Sequence, residues 1–442
     1  MNLLIVGSGA REHTFAWKIH ESNHDVNIFM TNPNAGCLDI VTPLTIDIND
    51  FKLLKESILS NSISFVLVGP EIPLILGITD FIYNDPDLVG VKVIGPSKKG
   101  SLLEGSKEFA KQFMLKYNIP TASFNSFDKF SFDEAVDFIN QNAPPYVLKA
   151  DGPAAGKGVI IVDNIDEAVN NLRDMLLNSK FGKSSEKVVI EEFLTGIEMS
   201  CFVLFDGLNY IILPYAKDYK RAGEGDTGLN TGGMGSISPV NFLDKDLKNK
   251  IEQEIIKPTI NGLIKEKINY IGFIFIGLIN VNGQPKVIEY NVRMGDPETQ
   301  VVLPRIKNDF MDLLIACSNQ NLDKIDLKID SNYYTNVVLA SGGYPEEYKK
   351  GLEISGLNEV EHSTIFHAGT TLDKNKTVTN GGRVLSVVSS AKTMKEALKK
   401  SYKNIDKIEF KGKVFRKDIG FDLYERVCSN IFIFFTLFII FY

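Results

Sequence analysis

The chain has 442 residues, enough for about three domains, each with a core of its own. Hydrophobic residues make up 44% and charged residues 23%, with a net charge of -7, an ordinary globular balance that argues against a nucleic-acid partner, because phosphate-backbone binders present a basic face. Cys37, Cys201, Cys317 and Cys428 lie far apart with no C-x-x-C spacing, which suggests neither a zinc site nor a disulfide framework and fits a reducing, cytoplasmic setting.

Asn2 to Val6 reads at once as a strand, with no basic region ahead of an apolar stretch, so a secretory signal is not expected. "NLLIVGSGAREH" predicts that strand entering a glycine turn and then a helix, and "VNIFM", "FVLVG" and "VKVIG" add short apolar strands. Residues 1–103 are therefore expected to form a parallel-sheet α/β domain. Such sheets bind ligands beyond the carboxyl ends of their strands, where "GSGAREH" and "GPEIPL" fall. "GSGAREH" fits a dinucleotide fingerprint at Gly7 and Gly9 but carries Glu12 at the third glycine position. A phosphate at the helix N-terminus, met also by Arg11, is the better reading, and His13 is at most a substrate contact.

Leu102 to Tyr117 has helical periodicity, and "PYVLKA" and "GVIIV" read as strands flanking "DGPAAGKG". This is not a P-loop: Gly152 and Gly156 are four positions apart, and Lys157 is followed by Gly158 instead of a hydroxyl residue. A glycine-dense turn with a lysine can still wrap phosphates with its N–H groups. Lys149, at the end of an apolar strand, is costly to bury without an anion; a triphosphate would supply one, and a snorkelling side chain is the competing reading.

"KVVIEEFL" and "MSCFVLFDG" follow as strands, and "RAGEGDTGLNTGGMGS" has glycines at 223, 225, 228, 232, 233 and 235, which predict a mobile loop without regular structure. A helix from Asp244 to about Lys267 precedes two strands joined through Asn282-Gly283, a hairpin signal. On the second arm Glu289 and Asn291 face the same way, about 6.6 Å apart along the strand, and offer the hard oxygen ligands magnesium takes. A solvent-facing Glu289 is the alternative, weakened by Arg293, Asp296 and Glu298 at the same strand end. No Ser-His-Asp or Cys-His pattern stands out, so covalent catalysis through a side chain is not indicated. The twelve almost wholly apolar residues from Ile431 to Tyr442 fall short of the roughly 20 a spanning helix needs. The stretch 428–442 is treated as a tail outside the body of the protein, with three readings open: a non-native extension, a segment packed on the core, or a membrane anchor.

In order, "GSGAREH", "VGPEIPL", "LEGSK", "KADGPAAGKG", "EEFLTGIE", "DTGLNTGGMG", "VIEYNVRMGDPETQ", "HAGT", "TNGGRVL" and "RKDIGF" resemble the phosphoribosylamine-glycine ligase family of the ATP-grasp superfamily. The resemblance runs from Met1 to about Arg426. It implies a multidomain α/β and α+β protein: the N-terminal α/β domain, an ATP-grasp domain at 104–326 with two subdomains (a nucleotide-binding flap at about 120–190), and a small mixed C-terminal domain at 327–427. It further implies ATP as co-substrate with Mg2+ or Mn2+, and ligation of glycine to 5-phosphoribosylamine in purine biosynthesis.

Carried over by position, nucleotide binding falls to Lys107, Lys149, Gly156, Lys157, Gly158, Glu191, Glu192, Phe193, Leu194 and Glu198, and metal binding to Glu289 and Asn291. Gly9, Arg11, Glu12, His13, Glu71, Asp218, Lys220, Arg293 and Asp296 would bind the remaining substrates, with Lys149, Arg293 and Asp296 in catalytic roles. Two departures stand out: Pro153 where Leu is common, which stiffens the flap, and the absence of the usual Gln before Asp218. The expected partners are these small molecules, with no nucleic acid, a membrane disfavoured, and a monomer. The competing functions are a carboxylate-amine ligase for another acid, a nicotinamide-dependent dehydrogenase suggested by "GSGAREH" alone, and a membrane-tethered binding protein suggested by the tail.

Overall fold

The structure is a computed structural model that describes residues 1–154 and 157–423; Ala155, Gly156, Cys428 and the apolar tail lie outside the described residues. Strands β1 (Asn2–Val6), β2 (Asn27–Thr31), β3 (Thr42–Leu44), β4 (Phe65–Val68) and β5 (Lys92–Ile94) form a parallel sheet in the order β3-β2-β1-β4-β5. Leu3 to Val6 are all fully buried, with Leu4 and Val6 in one core and Leu3 and Ile5 in another. Both faces of the sheet are covered, which is why the strand is a continuous apolar run. The loops after β1 and β4 meet at the carboxyl edge, where the Gly69 N–H donates to the Val6 carbonyl at 3.0 Å.

Strands β6 (Phe124–Asp128), β7 (Tyr146–Ala150), β8 (Val159–Val162) and β9 (Lys187–Glu192) make an antiparallel sheet in the order β6-β9-β7-β8. Helices Phe132–Gln141 and Ile165–Leu176 bury Ala135, Leu148, Leu172 and Ile190 on one of its faces. The chain continues through β10 (Ile197–Phe205), β11 (Tyr210–Ile212), β12 (Lys217–Asp218), β13 (Arg221–Gly223), β14 (Thr227–Asn230), β15 (Gly235–Ser238), β16 (Gly272–Val281) and β17 (Gln284–Asn291). A second antiparallel sheet runs β11-β10-β16-β17. The segment ahead of β6 joins it: the Val287 N–H donates to Pro120 O, and Thr121 Oγ1 to Val287 O, both at 2.7 Å.

The last part of the chain adds β18 (Tyr333–Ser341), β19 (Thr364–His367), the hairpin β20 (Thr370–Asp373) and β21 (Lys376–Thr379), β22 (Arg383–Ala391) and β23 (Lys413–Val414). The sheet β12-β15-β18-β22-β19 therefore mixes late strands with two from before residue 326. Asp218 sits at the end of one of those earlier strands, so the late segment supports it.

Two local predictions are corrected. Leu102 to Tyr117 is two helices, Leu102–Gly105 and Lys107–Lys116, because Ser106 is extended (φ -142°, ψ 116°) and its hydroxyl caps Phe109 N–H at 3.1 Å. The expected long helix is present at Lys245–Lys265, capped by Asp244 and with a π-helical stretch at Ile251–Ile256. The glycine-rich stretch after Lys220 is not structureless. It forms the β13–β14 hairpin and then β15, because Gly225 (φ 65°) and Gly228 (φ 79°) supply turn conformations that other residues resist. Asn282 (φ 52°) and Gly283 (φ 84°) form the expected tight turn between β16 and β17.

The glycine-rich hairpin is moored by Arg416, which is 1% exposed. Its guanidinium pairs with Asp226 at 2.5 Å and Asp418 at 2.7 Å, lies over Tyr219, and Asp418 accepts from the Gly225 N–H at 2.7 Å. Arg416→Ala leaves those acids uncompensated and is expected to cost about 3 kcal/mol, read as a lower urea midpoint. No helix among the described residues is long and apolar enough to cross a membrane.

Candidate active site

The two antiparallel sheets face each other across a cleft, and strand register decides which side chains enter it. Glu191 on β9 pairs with Val147 on β7, so it shares a face with Lys149 two residues on. Their side chains form an ion pair of 2.9 Å, and Lys111 reaches the same carboxylate oxygen at 3.1 Å. The anion that compensates buried Lys149 is thus a protein carboxylate, correcting the expectation that burial alone called for a triphosphate. The other oxygen of Glu191, Oε1, is buried without a hydrogen-bond partner. Lys149 Nζ also donates to the Ile288 carbonyl across the cleft at 3.4 Å.

On the opposing sheet, Ser200 pairs with Gly277 and Gly277 with Glu289, which places Ser200 and Glu289 in one row with only a glycine between them. Glu198, two residues before Ser200, and Asn291, two after Glu289, share this face. Burial pushes the Glu289 carboxyl up, but Lys220, Lys149, Lys107 and Arg293 together outweigh it and hold the group below the usual carboxylate range. Burial lowers the Lys107 ammonium, opposed by Glu289. Lys220 pairs with Glu198 at 2.9 Å; with side chains 36% and 45% exposed, this pair lines the open cleft and is not counted toward stability. Asn291 Oδ1 accepts from Arg293 at 3.1 Å, while its amide nitrogen is buried and unpartnered. A carbonyl oxygen has two lone pairs, so one remains for a cation. An ionised carboxylate beside an amide oxygen suits a hard divalent cation.

Arg293 is fixed from the N-terminal side. Glu104 accepts from its guanidinium at 2.8 Å and from the Val292 N–H at 2.8 Å, and Glu71 lies 3.4 Å from Nε. Asp296 is held by Arg383, which lies 3.3 Å from its carboxylate and donates to its carbonyl at 2.7 Å. Beyond β1, the Glu12 carboxylate accepts from the Gly9 N–H at 2.7 Å and from Arg11 at 2.6 Å. Gly69 is needed here because a Cβ would collide with that carboxylate. The Gly9 N–H is therefore already engaged, and Arg11 is tied to the same carboxylate through Nε and to the Met294 carbonyl through Nη1 at 3.3 Å.

His13 turns toward the late part of the chain. Its Nδ1 accepts from the His367 N–H at 2.9 Å, and burial, then His367, lowers it to about 3, so the ring is neutral with its proton on Nε2. Within "EEFL" only Glu191 sends its side chain into the cleft: Glu192 faces outward to Lys286 at 3.1 Å, Phe193 is 43% exposed and Leu194 is half-buried. Lys157 is exposed and Gly158 buried beside Ala150, while Gly156 lies outside the described residues.

Sequence reasoning missed Lys111, Glu104, Arg383 and His367 as site residues. Lys111 had a signal, standing one helical turn after Lys107 on the same face. Glu104 and Arg383 stand in "LEGSK" and "GGRVL", noted only as motifs, and His367 opens "HAGT".

Residues 1–104, 105–299 and 334–422 match the N domain, the ATP-grasp (A) domain and the C domain of phosphoribosylglycinamide synthetase. The chain is 43% identical over 420 residues to phosphoribosylamine–glycine ligase of Caldanaerobacter subterraneus subsp. tengcongensis, covering 95% of this chain and 99% of that protein. It is also 43% identical over 437 residues to the bifunctional purine biosynthetic protein PUR2,5 of Pichia angusta, covering 97% of this chain but only 55% of that longer protein. The crystal structure of phosphoribosylamine–glycine ligase from Thermotoga maritima superposes with a TM-score of 0.82 at 35% identity, covering 95% of this chain and all of that one.

Proposed function

The chain belongs to the phosphoribosylglycinamide synthetase family, and on that premise we propose that its cleft joins glycine to 5-phosphoribosylamine with conversion of ATP to ADP and phosphate, a step of purine biosynthesis. The observation that carries the assignment of the site is the convergence of Lys107, Lys149, Lys220 and Arg293 on Glu289. Lys149, Lys220 and Arg293 already hold Glu191, Glu198 and Glu104, and a polyphosphate laid beside Glu289 would share these cations and Lys107.

Glu289 and Asn291 would hold Mg2+ or Mn2+, which when bound supplies charge withdrawal from the phosphates. Lys107 and Lys149 neutralise phosphate oxygens, with Glu191 and Lys111 keeping the Lys149 ammonium aimed into the cleft. Lys157 and Gly158, just ahead of β8, would meet the phosphates, and the backbone after Glu191 would line the base. Glu198 accepts from the ribose hydroxyls once Lys220 turns to the reacting groups. Arg11, Glu12 and His13 face the sugar phosphate, and Glu71, Arg293 and Asp296 close the same side.

A glycine carboxylate oxygen attacks the γ-phosphorus, the bond to the bridging oxygen breaks and ADP leaves. The amine of phosphoribosylamine then attacks the carbonyl of glycyl phosphate, loses a proton, and expels phosphate to leave the amide. The residues position the reactants, balance charge and keep water from the acyl phosphate. Domain boundaries near 103 and 326 accompany this reading. A reducing, cytoplasmic setting is supported by Cys37, Cys201 and Cys317, all buried free thiols. Purified protein should release ADP only when glycine and freshly made phosphoribosylamine are both present. Release with other acids in place of glycine, and none with glycine, would transfer the assignment to a different carboxylate-amine ligase.

A further inference from the structure

Lys111 lies in the middle of the helix Lys107–Lys116 and is 2% exposed. Its ammonium pairs with Glu191 Oε2 at 3.1 Å, donates to Thr121 Oγ1 at 2.8 Å and lies 5.6 Å from the centre of the Phe124 ring. Glu191 Oε2 also holds Lys149 at 2.9 Å, so two ammonium groups meet one carboxylate oxygen. The carboxylate balances one of them, and Glu192, the next acid on the strand, is turned outward to Lys286. Burial brings the Lys111 ammonium down to about 8, with Lys149 acting in the same direction and Glu191 against both. A structural ion pair has no use for this second lysine. With an apolar residue at 111, Glu191 and Lys149 would form a closed buried pair that an incoming anion would have to break. With Lys111 in place the carboxylate stays compensated from the helix side when Lys149 turns to that anion.

The same ammonium reaches the opposite wall of the cleft. Thr121, which accepts from Lys111, donates to the Val287 carbonyl at 2.7 Å, and the Val287 N–H donates to the Pro120 carbonyl at 2.7 Å. Val287 is on β17, two residues before Glu289. The strands β9 and β17, one from each sheet, are thus joined through Glu191, Lys111 and Thr121. Lys149 crosses beside this brace to donate to the Ile288 carbonyl at 3.4 Å. We propose that Lys111 is a positioning residue, which occupies Glu191 so that Lys149 is free for the nucleotide phosphates and, through Thr121, fixes that lysine against the strand carrying Glu289. The proposal rests on the ligase reading for the identity of the nucleotide.

The test compares full-length wild type and Lys111→Met by Mg·ATP calorimetry, by ADP release at varied ATP and glycine, and by thermal melt. Kd and KM for ATP are expected to rise about 10- to 100-fold, the scale of one charged hydrogen bond, with KM for glycine within about twofold of wild type. Unchanged ATP affinity in a folded variant, or equal losses for ATP and glycine, would overturn the proposal. Thr121→Val cuts the tie to β17 and leaves every charge in place. It should weaken ATP binding about 3- to 10-fold in the wild-type background and have no further effect in Lys149→Met, because the brace acts through that lysine. Additive losses in the Thr121→Val, Lys149→Met double variant would overturn the proposal, and this cycle decides it alone if Lys111→Met does not fold. Mg·ATP binding without glycine-dependent ADP release in the wild type would defeat the ligase reading only, since the calorimetric comparison uses no glycine.

Discussion

Glu289→Gln combined with Asn291→Ala should reduce turnover at least about a thousandfold, the scale of losing preorganised charge at a phosphoryl group, while leaving the fold intact. Lys220, Lys149, Lys107 and Arg293 all act on Glu289. Replacing it with an isosteric amide removes the negative charge a divalent cation requires, while Lys149, Lys220 and Arg293 keep Glu191, Glu198 and Glu104. Asn291→Ala removes the second oxygen and frees Arg293 from its 3.1 Å contact, while the guanidinium keeps Glu104, Glu71 and the Met294 carbonyl. Neither change touches the β16–β17 backbone ladder. Calorimetry should show loss of Mg·ATP binding with an unaltered thermal transition. Turnover near the wild-type rate in the double variant would remove the metal assignment.

Lys149→Met is the second large effect. We expect kcat/KM for ATP to fall by about 10² to 10³, because one cationic donor to the phosphates is lost while the aliphatic stem is retained. Stability should change little, since Glu191 keeps its 3.1 Å pairing with Lys111 after Lys149 is gone. That retained pair separates a role at the phosphates from a structural one. A variant that melts early but turns over normally once folded would assign Lys149 to the core instead. ATP dependence of the initial rate together with a thermal melt decides between the two.

The N-terminal sheet was legible because a parallel strand covered on both faces must be apolar throughout, as Leu3 to Val6 are. That Glu289 and Asn291 share a face was legible because alternation in a strand is rigid once the Asn282-Gly283 turn fixes the hairpin. What could not be read depends on contacts between distant segments. Arg416 lies nearly two hundred positions from Asp226, and no local pattern links "RKDIGF" to the glycine-rich hairpin that it moors. For the same reason that hairpin was expected to lack structure, since its glycines are turn formers only when something anchors the strands. Lys149 shows a different limit. Burial of a lysine predicts an anionic neighbour but not which one, and Glu191, 42 positions on, was already that neighbour.

Under the proposed function, glycine is activated by transfer of a phosphoryl group to its carboxylate. Carrying out the complete reaction with glycine bearing heavy oxygen in its carboxylate, and analysing the phosphate by mass spectrometry, measures that transfer. One heavy oxygen per inorganic phosphate released is the expected result. Unlabelled phosphate formed alongside product would contradict it, because the carboxylate oxygen would then never have been bonded to phosphorus.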